Sequence, residues 1–387
     1  MSAKYIELAS QLKNLIQKYQ QNDPYENGPS AAFQLPTEAA LCQMYHVSRQ
    51  TVRKALSVLE EEHLIRKRQG SGSYAVPDLY QKRGNQIAIL VSSNTEYIYP
   101  RLLADLCGTL QKHGLSWTVY VTENQINKER EILEFLLENI ENNGEPNPEI
   151  HSQNKEKTVC GIISEGCMTN FPTPNYDLYQ HLIQRNTALL FFRGSYSNLP
   201  DIPSIKDDNY NGGYALATYL VSLGHQKIGG IFNSDDVQSA EQRFGFLSAL
   251  RDARLLSCEA YLCSFDTHQL TALEKQQDTE FLSDFLSGQL KTVTAIVCCN
   301  DEIAYWLIKK LYSRNIRVPE DVSVVCFDCS YLSDLSAVQI THYTQREHDL
   351  GITAAESVIH LIKGTSVSAQ KSPWQLVIKR SSAPPAG

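Results

Sequence analysis

The chain has 387 residues, 42% of them hydrophobic, and a formal net charge of −8. Its length accommodates one small domain and one large two-lobed domain, and its ten cysteines are scattered instead of framing a small disulfide-rich domain. With no apolar run of about 18 residues and no signal peptide in residues 1–11, we expect a cytoplasmic protein that does not contact membranes.

Two short helices joined by a turn are predicted between residues 35 and 61. Leu35-Pro36 gives an extended entry, after which Thr37 can N-cap the first helix. The turn is His46-Val47-Ser48, and Ser48 is well placed to N-cap the second helix. That helix has one apolar stripe, formed by Val52, Ala55, Leu56 and Leu59. In such an arrangement the second helix can enter the major groove of DNA.

The polar side of the second helix has residue types that suit base recognition. Arg49, Gln50 and Arg53 point away from the apolar stripe, and Arg can form two hydrogen bonds with guanine as Gln can with adenine. Thr51 can donate to a phosphate, which the positive helix N-terminus also favours. Residues 66–74, RKRQGSGSY, predict a strand, a glycine turn and a second strand, which we interpret as a wing. The alternative is an amphipathic helix pair with a solvated basic loop.

These elements resemble the winged helix-turn-helix of the GntR family of bacterial regulators. The matching motifs are Leu35-Pro36-Thr37-Glu38, Val47-Ser48-Arg49-Gln50-Thr51-Val52-Arg53, Leu64 and Gly70-Ser71-Gly72. Many members have Arg directly after the Glu as a phosphate contact, whereas this chain has Ala39, and Lys4 is a candidate to supply that contact. The predicted DNA-binding residues are Lys4, Pro36, Thr37, Ser48, Arg49, Gln50, Thr51, Arg53, Gln69 and Gly70.

A short polar segment separates this head from a larger body. We predict a winged helix-turn-helix domain at residues 1–78, a linker at 79–85 and an effector-binding and dimerisation domain at 86–387. The apolar runs of the body cover residues 86–91, 115–121, 159–163, 187–192, 227–232, 293–299 and 322–327. Because continuously apolar strands that alternate with helices are typical of parallel sheets covered on both faces, we expect an α/β body.

Charge is distributed unevenly between the two parts. The first 80 residues have nine basic and eight acidic side chains, and the remainder has 26 basic and 35 acidic ones. An acidic body repels DNA, so we expect the local basic cluster between Arg49 and Arg68 to attract the phosphates.

Polar residues directly after the apolar strands are candidates for ligand binding, because ligands of open parallel sheets bind outside the carboxyl ends of the strands. The chain has Glu165, Arg193, Asp236, Asp301 and Asp328 at such positions. Carboxylates accept hydrogen bonds from sugar hydroxyls, arginine donates to a ring oxygen, and tyrosine stacks on the C–H face of a sugar. The pattern favours a polyhydroxylated ligand, although each residue taken singly also fits a helix cap or a solvated loop.

The body resembles the ligand-binding domain shared by LacI-type regulators and periplasmic sugar-binding proteins. The matching signatures lie at residues 208–228, 294–304 and 318–325. The resemblance implies two Rossmann-like lobes that close around a ligand. A GntR head on such a body is similar to the arabinose repressor group, whose own motifs resemble residues 96–100, 174–179 and 235–238. This second resemblance implies a pentose effector.

The predicted effector-binding residues are Tyr97, Tyr99, Glu165, Arg193, Arg243, Asp301 and Asp328. The family's pattern places an arginine three residues before a Gly-Phe pair, where this chain has Gln242, and Arg243 comes one residue late. Either Arg243 turns inward through a local shift, or the effector differs from arabinose. The usual second aspartate after Asp328 is replaced by Cys329.

Two short motifs that match cofactor or metal sites are assigned other roles. Gly70 to Ala75 fits a dinucleotide-binding pattern, but Pro77 prevents a helix from following, so a wing turn is preferred. Cys326-Phe327-Asp328-Cys329 has no second cysteine pair at zinc-site spacing. No nucleophile with a base and an orienting residue can be assembled, and we expect no cofactor, no metal and no enzyme activity.

The sequence as a whole predicts a DNA-binding transcriptional repressor of sugar-utilisation genes, released from its operator when a sugar binds the body. Repression is preferred because members with this architecture usually repress, but a sugar-responsive activator would have the same residues. A soluble carbohydrate-binding protein or a sugar kinase-like enzyme, with a head that contacts protein, is the other alternative. Because a palindromic operator requires a two-fold dimer, the expected partners are double-stranded DNA, a sugar and a second copy of the chain.

Overall fold

The computed structural model describes most of the chain. The described residues are 4–21, 34–61, 64–68, 72–75, 85–94, 98–142, 159–185, 187–255, 261–276, 280–289, 292–345, 349–372 and 374–386. No helix in these ranges combines the length and apolar character needed to cross a bilayer. The chain divides into two compact units, Met1–Ile87 with Thr109–Thr118 and Glu138–Gly161, and Ala88–Gly108 with Val119–Leu137 and Ile162–Gly387. The domain limits at residues 78 and 86 stay predictions.

The head has three helices and a two-stranded sheet. Its elements are α1 (Lys4–Gln21), α2 (Glu38–Tyr45), α3 (Arg49–Glu61), β1 (Ile65–Arg68) and β2 (Gly72–Ala75). The Thr37 side chain accepts a hydrogen bond from the Ala40 amide at 3.3 Å and thereby N-caps α2. After α2, His46 adopts a left-handed backbone with φ of 52°, which turns the chain towards α3. The predicted helix-turn-helix is confirmed.

Apolar side chains from all three helices fill the core of the head. The predicted stripe on α3 is buried, since Val52, Ala55 and Leu59 have no exposed surface and Leu56 keeps 3%. The same core includes residues of α1, α2 and β1, namely Leu8, Leu12, Ile16, Leu41 and Ile65. Burial of this stripe leaves the opposite side of α3 free to carry polar residues.

A hairpin follows α3. Strands β1 and β2 pair in antiparallel register, with Lys67 opposite Ser73. The Leu35 amide donates to the Ser73 carbonyl at 2.8 Å, so the segment that leads into α2 is tied to the hairpin. Gly72 has φ of 121°, a backbone conformation that favours glycine. The hairpin therefore has the form expected of a wing attached to the helix-turn-helix.

The body alternates strands and helices. Its strands are β3 (Gln86–Val91), β4 (Ser116–Val121), β5 (Val159–Ser164), β6 (Ala188–Phe192), β7 (Ser204–Asp207), β8 (Ile228–Asn233), β9 (Leu262–Phe265), β10 (Ala295–Cys298), β11 (Ser323–Phe327), β12 (Thr341–Gln345), β13 (Gln370–Ser372) and β14 (Trp374–Val377). Its helices are α4 (Tyr99–Lys112), α5 (Ile126–Asn142), α6 (Tyr176–Gln184), α7 (Asn209–Ser222), α8 (Val237–Asp252), α9 (Thr267–Gln276), α10 (Glu280–Gln289), α11 (Asp301–Ser313), α12 (Tyr331–Leu335) and α13 (Asp349–Ile362). Each predicted apolar run overlaps one of these strands.

The strands form two six-stranded sheets. The first has the order β13-β7-β6-β5-β3-β4, and the second has the order β14-β12-β11-β10-β8-β9. We call the residues built around these sheets the first lobe and the second lobe. Strands β8 to β12 pair in parallel, as predicted, whereas β14 runs antiparallel to β12. The core of the second lobe includes Cys298, Cys299 and Cys326, in the packing role expected of buried thiols.

Helices α7 and α8 approach each other at backbone contact distance. A Cβ atom on Gly213 would lie 1.9 Å from the Gln242 carbonyl oxygen, and one on Gly245 would lie 1.9 Å from the Tyr210 carbonyl oxygen. Since neither position has room for a side chain, these glycines set the spacing of the two helices. The packing also fixes the start of α8, which begins directly after Asp236 at the carboxyl end of β8.

Candidate functional site

The exposed face of α3 has the side chains that were predicted to contact bases. The side chains of Arg49 and Arg53 are 71% and 62% exposed, and Gln50 is exposed beside them. The Ser48 hydroxyl accepts a hydrogen bond from the Thr51 amide at 3.2 Å and so stabilises the start of the helix. Two guanidinium groups and one amide are therefore presented by the N-terminal turns of α3, where helix-turn-helix proteins contact base edges.

Both arginines share the carboxylate of Glu38, the first residue of α2. Arg49 Nε donates to Glu38 Oε2 at 2.8 Å, and Arg53 Nε lies 3.1 Å from both oxygens of the same carboxylate. The hydrogen bond from Arg49 lowers the pKa of Glu38, so the carboxylate stays charged. Exposed ion pairs of this kind contribute at most about 1 kcal/mol. Glu38 can therefore orient the two guanidinium groups and still release them to DNA.

The other predicted DNA contacts surround this face or lie outside the described residues. Lys4 is exposed at the first residue of α1. Pro36 is partly buried at the entry to α2, and the Thr37 hydroxyl is engaged as the cap of that helix. Gln69 and Gly70, between the two strands of the wing, lie outside the described residues, and their contacts stay predictions.

In the first lobe, Glu165 gathers donors from three other positions in the chain. Its Oε1 accepts hydrogen bonds from the Tyr99 hydroxyl at 2.8 Å and from Arg193 Nε at 3.1 Å. Its Oε2 accepts from the amide and the hydroxyl of Ser92, at 2.9 and 3.0 Å. Ser92, Glu165 and Arg193 directly follow β3, β5 and β6. Three of the predicted effector-binding residues thus meet at the carboxyl ends of adjacent strands.

Arg193 is held rigidly within this cluster. Its backbone is left-handed, with φ of 62°, and its amide donates to the Ile205 carbonyl at 2.9 Å. Its guanidinium group lies over the Tyr99 ring, 5.9 Å from the ring centroid. The side chains of Arg193 and Glu165 are only 9% and 10% exposed. Because removing one partner of a buried pair leaves an uncompensated charge, the pair is a fixed part of the site.

Asp236 brings a carboxylate from the second lobe into the range of this pair. It N-caps α8, since its Oδ1 accepts a hydrogen bond from the Gln238 amide at 3.0 Å. Burial raises the pKa of Asp236, an effect that the charge of Arg193 opposes and that of Glu165 reinforces. The sequence placed Asp236 at a strand end but left it out of the predicted site, because an aspartate there also fits a helix cap. In the structure, Asp236 caps α8 and also lies within electrostatic range of Glu165 and Arg193.

Asp301 is more deeply enclosed than the prediction assumed. It is the first residue of α11 and has no exposed surface. Its Oδ2 accepts hydrogen bonds from the Ser330 amide at 2.6 Å and from the hydroxyls of Ser330 and Ser333, both at 2.8 Å. Its Oδ1 has no hydrogen-bond partner among the described residues, and burial raises its pKa. One oxygen thus anchors α12, and a contact between Asp301 and an effector stays a prediction.

Asp328 follows β11 with a left-handed backbone, φ 62°, and its amide donates to the Tyr343 carbonyl at 3.0 Å. It is partly exposed. Burial raises the pKa of the Cys299 thiol, and the charges of Asp236 and Asp328 raise it further. Both carboxylates are therefore close enough to influence the same buried thiol at the carboxyl end of the second sheet.

Two predicted effector residues are not brought to this site. Tyr97 lies outside the described residues. Arg243 is exposed on α8, and that helix is continuous from Val237 to Asp252, so no local shift turns Arg243 inward. Gln242 is the inward residue: it is 4% exposed, its Nε2 donates to Asn209 Oδ1 at 3.2 Å, and its Oε1 has no described partner. Gln242 thus occupies the buried position in this turn of the helix, and a contact between Arg243 and an effector stays a prediction.

A second buried carboxylate, Glu129 of α5, supports the loop that follows β5. It accepts hydrogen bonds from Asn175 Nδ2 at 2.9 Å and from the hydroxyls of Tyr179 and Tyr196, both at 2.8 Å. Burial raises the pKa of Glu129. The Tyr196 oxygen also accepts from the Cys167 amide at 2.5 Å, which connects the network to the loop. Sequence analysis missed Glu129 because a carboxylate in a charged amphipathic helix reads as a solvated one.

The site offers hydrogen bonds and charge but no assembled metal centre. Within the described ranges, no three His, Cys, Asp or Glu side chains are grouped so as to hold a metal ion. Cys326 and Cys329 are free thiols, and burial raises the pKa of both, which disfavours the reactive thiolate. The arrangement is suited to binding a polar ligand between carboxylates, a guanidinium group and an amide.

Comparison with known proteins finds a matching family for the head and another for the body. Residues 31–74 match the family described as bacterial regulatory proteins, gntR family, and residues 217–382 match the periplasmic binding protein-like domain. The chain is 30% identical over 360 residues, 90% of either chain, to the arabinose metabolism transcriptional repressor of Halalkalibacterium halodurans. It is 28% identical over 335 residues, 86% of either chain, to the repressor of the same name from Geobacillus stearothermophilus.

A solved structure shares the fold of the body. The periplasmic binding protein/LacI transcriptional regulator from Alkaliphilus metalliredigens QYMF, in complex with D-xylulofuranose, matches with a TM-score of 0.61 and 20% identity. The match covers 77% of this chain and 99% of that one, and at this identity it establishes the fold alone. On the head, the body and the full-length relatives together, the chain belongs to the family of bacterial transcriptional repressors that join a GntR-type winged helix-turn-helix to a periplasmic-binding-protein-like domain.

Proposed function

We propose that the chain represses genes of pentose utilisation and leaves its operator when a pentose of the arabinose type binds between the lobes of the body. The observation that carries the proposal is the buried cluster of Tyr99, Glu165 and Arg193 at the carboxyl ends of strands, which combines acceptors and donors and lies within electrostatic range of Asp236. Such groups recognise sugar hydroxyls. The names of the two curated relatives and the pentulose in the similar structure support the choice of a pentose.

Repression by this chain requires two heads on one operator. A palindromic site is matched by a two-fold dimer, so we infer a homodimer formed through the body. We infer that the chain acts as a regulator and not as an enzyme, because its full-length relatives are named transcriptional repressors. Its DNA partner places it in the cytoplasm.

Release follows if the sugar binds the DNA-incompetent arrangement more tightly than the DNA-bound one. A preference of about 100-fold corresponds to about 2.7 kcal/mol of coupling between the two sites. Closure of the lobes on the sugar supplies that preference, because Glu165 and Asp236 belong to different lobes and contact one ligand only when the lobes are close.

Fluorescence anisotropy tests this function directly. Labelled DNA from the gene's own upstream region is titrated with the chain, and the complex is then titrated with arabinose, xylose, ribose and galactose. We expect specific binding whose affinity falls with salt, by a log–log slope of about −0.9 per phosphate neutralised, and release by a pentose. No specific binding to DNA would favour a carbohydrate-binding protein, and a sugar that strengthens operator binding would favour an activator.

A further inference from the structure

Two loops bring the lobes into direct contact beside Asp236. Residues 165–170 follow β5 in the first lobe, and residues 234–237 precede α8 in the second. The Val237 amide donates to Thr169 Oγ1 at 3.2 Å, and the Asn170 amide donates to the Asp235 carbonyl at 3.0 Å. Asn170 Nδ2 also donates to the Ser234 carbonyl at 2.8 Å. Asp236 is thus flanked on both sides by hydrogen bonds that cross between the lobes.

A further crossing joins Asn124 of the first lobe to Thr267 of the second. Asn124 Nδ2 donates to Thr267 Oγ1 at 2.6 Å, while Asn124 Oδ1 accepts from the Met168 amide at 2.8 Å. The hydroxyl and the amide of Thr267 both donate to Asp235 Oδ2, at 2.7 and 2.9 Å. The Thr267 hydroxyl therefore accepts a hydrogen bond from the first lobe and donates one within the second.

These bonds close into a ring that starts and ends in the loop after β5. The ring runs from Met168 through Asn124, Thr267 and Asp235 to Asn170. The backbone at two of these residues has an uncommon conformation: Met168 and Asn124 are left-handed, with φ of 48° and 54°.

The same loop begins at Glu165 and is anchored by the Glu129 network through Cys167. A displacement at one end of the loop is therefore transmitted to the other end.

We propose that Asn124, Asn170, Asp235 and Thr267 form a lobe clasp, which holds Asp236 opposite Glu165 and Arg193 and stabilises the closed lobes. The clasp residues are positioning residues that set the affinity for the effector without contacting it. This inference rests on the proposed function for the identity of the effector, but closure of the lobes can be measured without any sugar.

Thr267 offers a matched pair of substitutions. Thr267→Val keeps the shape of the side chain and removes the hydroxyl, whereas Thr267→Ser keeps the hydroxyl. Neither substitution removes the cap of α9, because Asp266 Oδ1 accepts the hydrogen bond from the Gln269 amide at 2.8 Å. We expect Thr267→Val to raise the Kd for arabinose about tenfold in calorimetry, and Thr267→Ser to leave it near the parent value.

The second pair compares Asn170→Ala with Gln125→Ala. Asn170→Ala removes the bond to the Ser234 carbonyl, whereas the exposed Gln125 side chain donates to Glu123 of its own lobe, at 3.4 Å. Asn170→Ala is expected to weaken arabinose binding several-fold and to shift the midpoint of operator release to more sugar. Gln125→Ala should match the parent in both, and operator affinity without sugar should be no weaker in the clasp variants than in the parent, because loss of the clasp favours the open arrangement.

Small-angle scattering of the full chain without sugar provides the independent readout. The clasp predicts a larger radius of gyration for Thr267→Val than for Thr267→Ser, because the open arrangement becomes more populated. Equal radii, or an arabinose Kd in Thr267→Val that equals that of the parent, would overturn the clasp. If the parent binds no sugar, the proposed function fails, and the comparison of radii still decides on the clasp.

Discussion

The head and the body each contain a carboxylate paired with arginine, and the two clusters differ in exposure. In the head, Glu38 bonds Arg49 and Arg53, whose side chains are 71% and 62% exposed. In the body, Glu165 bonds Arg193, and these side chains are 9% and 10% exposed. Water and salt screen the first cluster and are largely excluded from the second.

This difference separates the roles of the two clusters. An exposed pair is worth little in free energy, so its arginines can exchange Glu38 for a base or a phosphate at small cost. A buried pair cannot exchange partners in that way, because a lone charge in its place would be strongly destabilising. The head is therefore built to change partners, and the cleft is built to hold one geometry.

The largest effect is expected from breaking the buried pair. Glu165→Ala leaves Arg193 without its carboxylate and should lower the free energy of unfolding by about 3–5 kcal/mol, measured by urea denaturation. Arabinose binding should be lost as well. Glu165→Gln serves as the control that keeps the shape of the side chain. A loss of stability below about 1 kcal/mol would mean that the pair behaves like a surface one.

Substitution in the exposed cluster should affect DNA and leave the cleft unchanged. Arg49→Ala removes a base contact worth about 1–3 kcal/mol, which raises the operator Kd by about 10- to 100-fold at fixed salt. Its stability and its arabinose Kd should equal those of the parent, because the side chain is exposed. Operator binding as tight as that of the parent would show that the recognition surface is elsewhere.

Lowering the pH should weaken sugar binding by the body before it weakens DNA binding by the head. Burial raises the pKa of Asp236, so its proton is taken up above the ordinary range of an aspartate, whereas the bond to Arg49 lowers the pKa of Glu38. As the pH is lowered from about 7 towards the ordinary pKa of an aspartate, about 4, arabinose affinity should fall before operator affinity without sugar does. At each pH, calorimetry measures the arabinose affinity and anisotropy measures the operator affinity. An equal loss of arabinose affinity and operator affinity would contradict the role assigned to Asp236.

The smallest effect is expected for Glu38→Gln. Gln keeps an acceptor for the arginines but removes the charge, so operator affinity should change by less than about 1 kcal/mol, within a factor of about 5. A loss as large as that of Arg49→Ala would show that Glu38 itself is essential to the complex with DNA. Anisotropy at two salt concentrations separates orientation of the arginines from a change in net charge.

The helix-turn-helix could be predicted from sequence because its signals are local. Thr37, the turn at His46 and the stripe on α3 lie within a few residues of the features they determine. Which of Gln242 and Arg243 is buried could not be predicted for the opposite reason. One step along a helix rotates a side chain by about 100°, and only the packing of α8 on α7 decides which of the two points inward.

The parts of the site that sequence analysis missed depend on tertiary structure. Asp236 and Glu129 occupy positions where a helix cap or a solvated carboxylate is the simpler interpretation. The clasp joins Asn124 to Thr267 across 143 positions of the chain, and no local pattern indicates such a pair. Glu38 was read as part of a family motif, but its contacts with Arg49 and Arg53 required the geometry of the turn.

The central claim is that sugar in the buried cluster releases DNA from the exposed one. The most direct test is an arabinose titration of the preformed operator complex, followed by anisotropy, for the parent and for Glu165→Gln. The account predicts release of the parent complex and continued binding by Glu165→Gln at the same sugar concentrations. Release of both complexes with the same midpoint would contradict it.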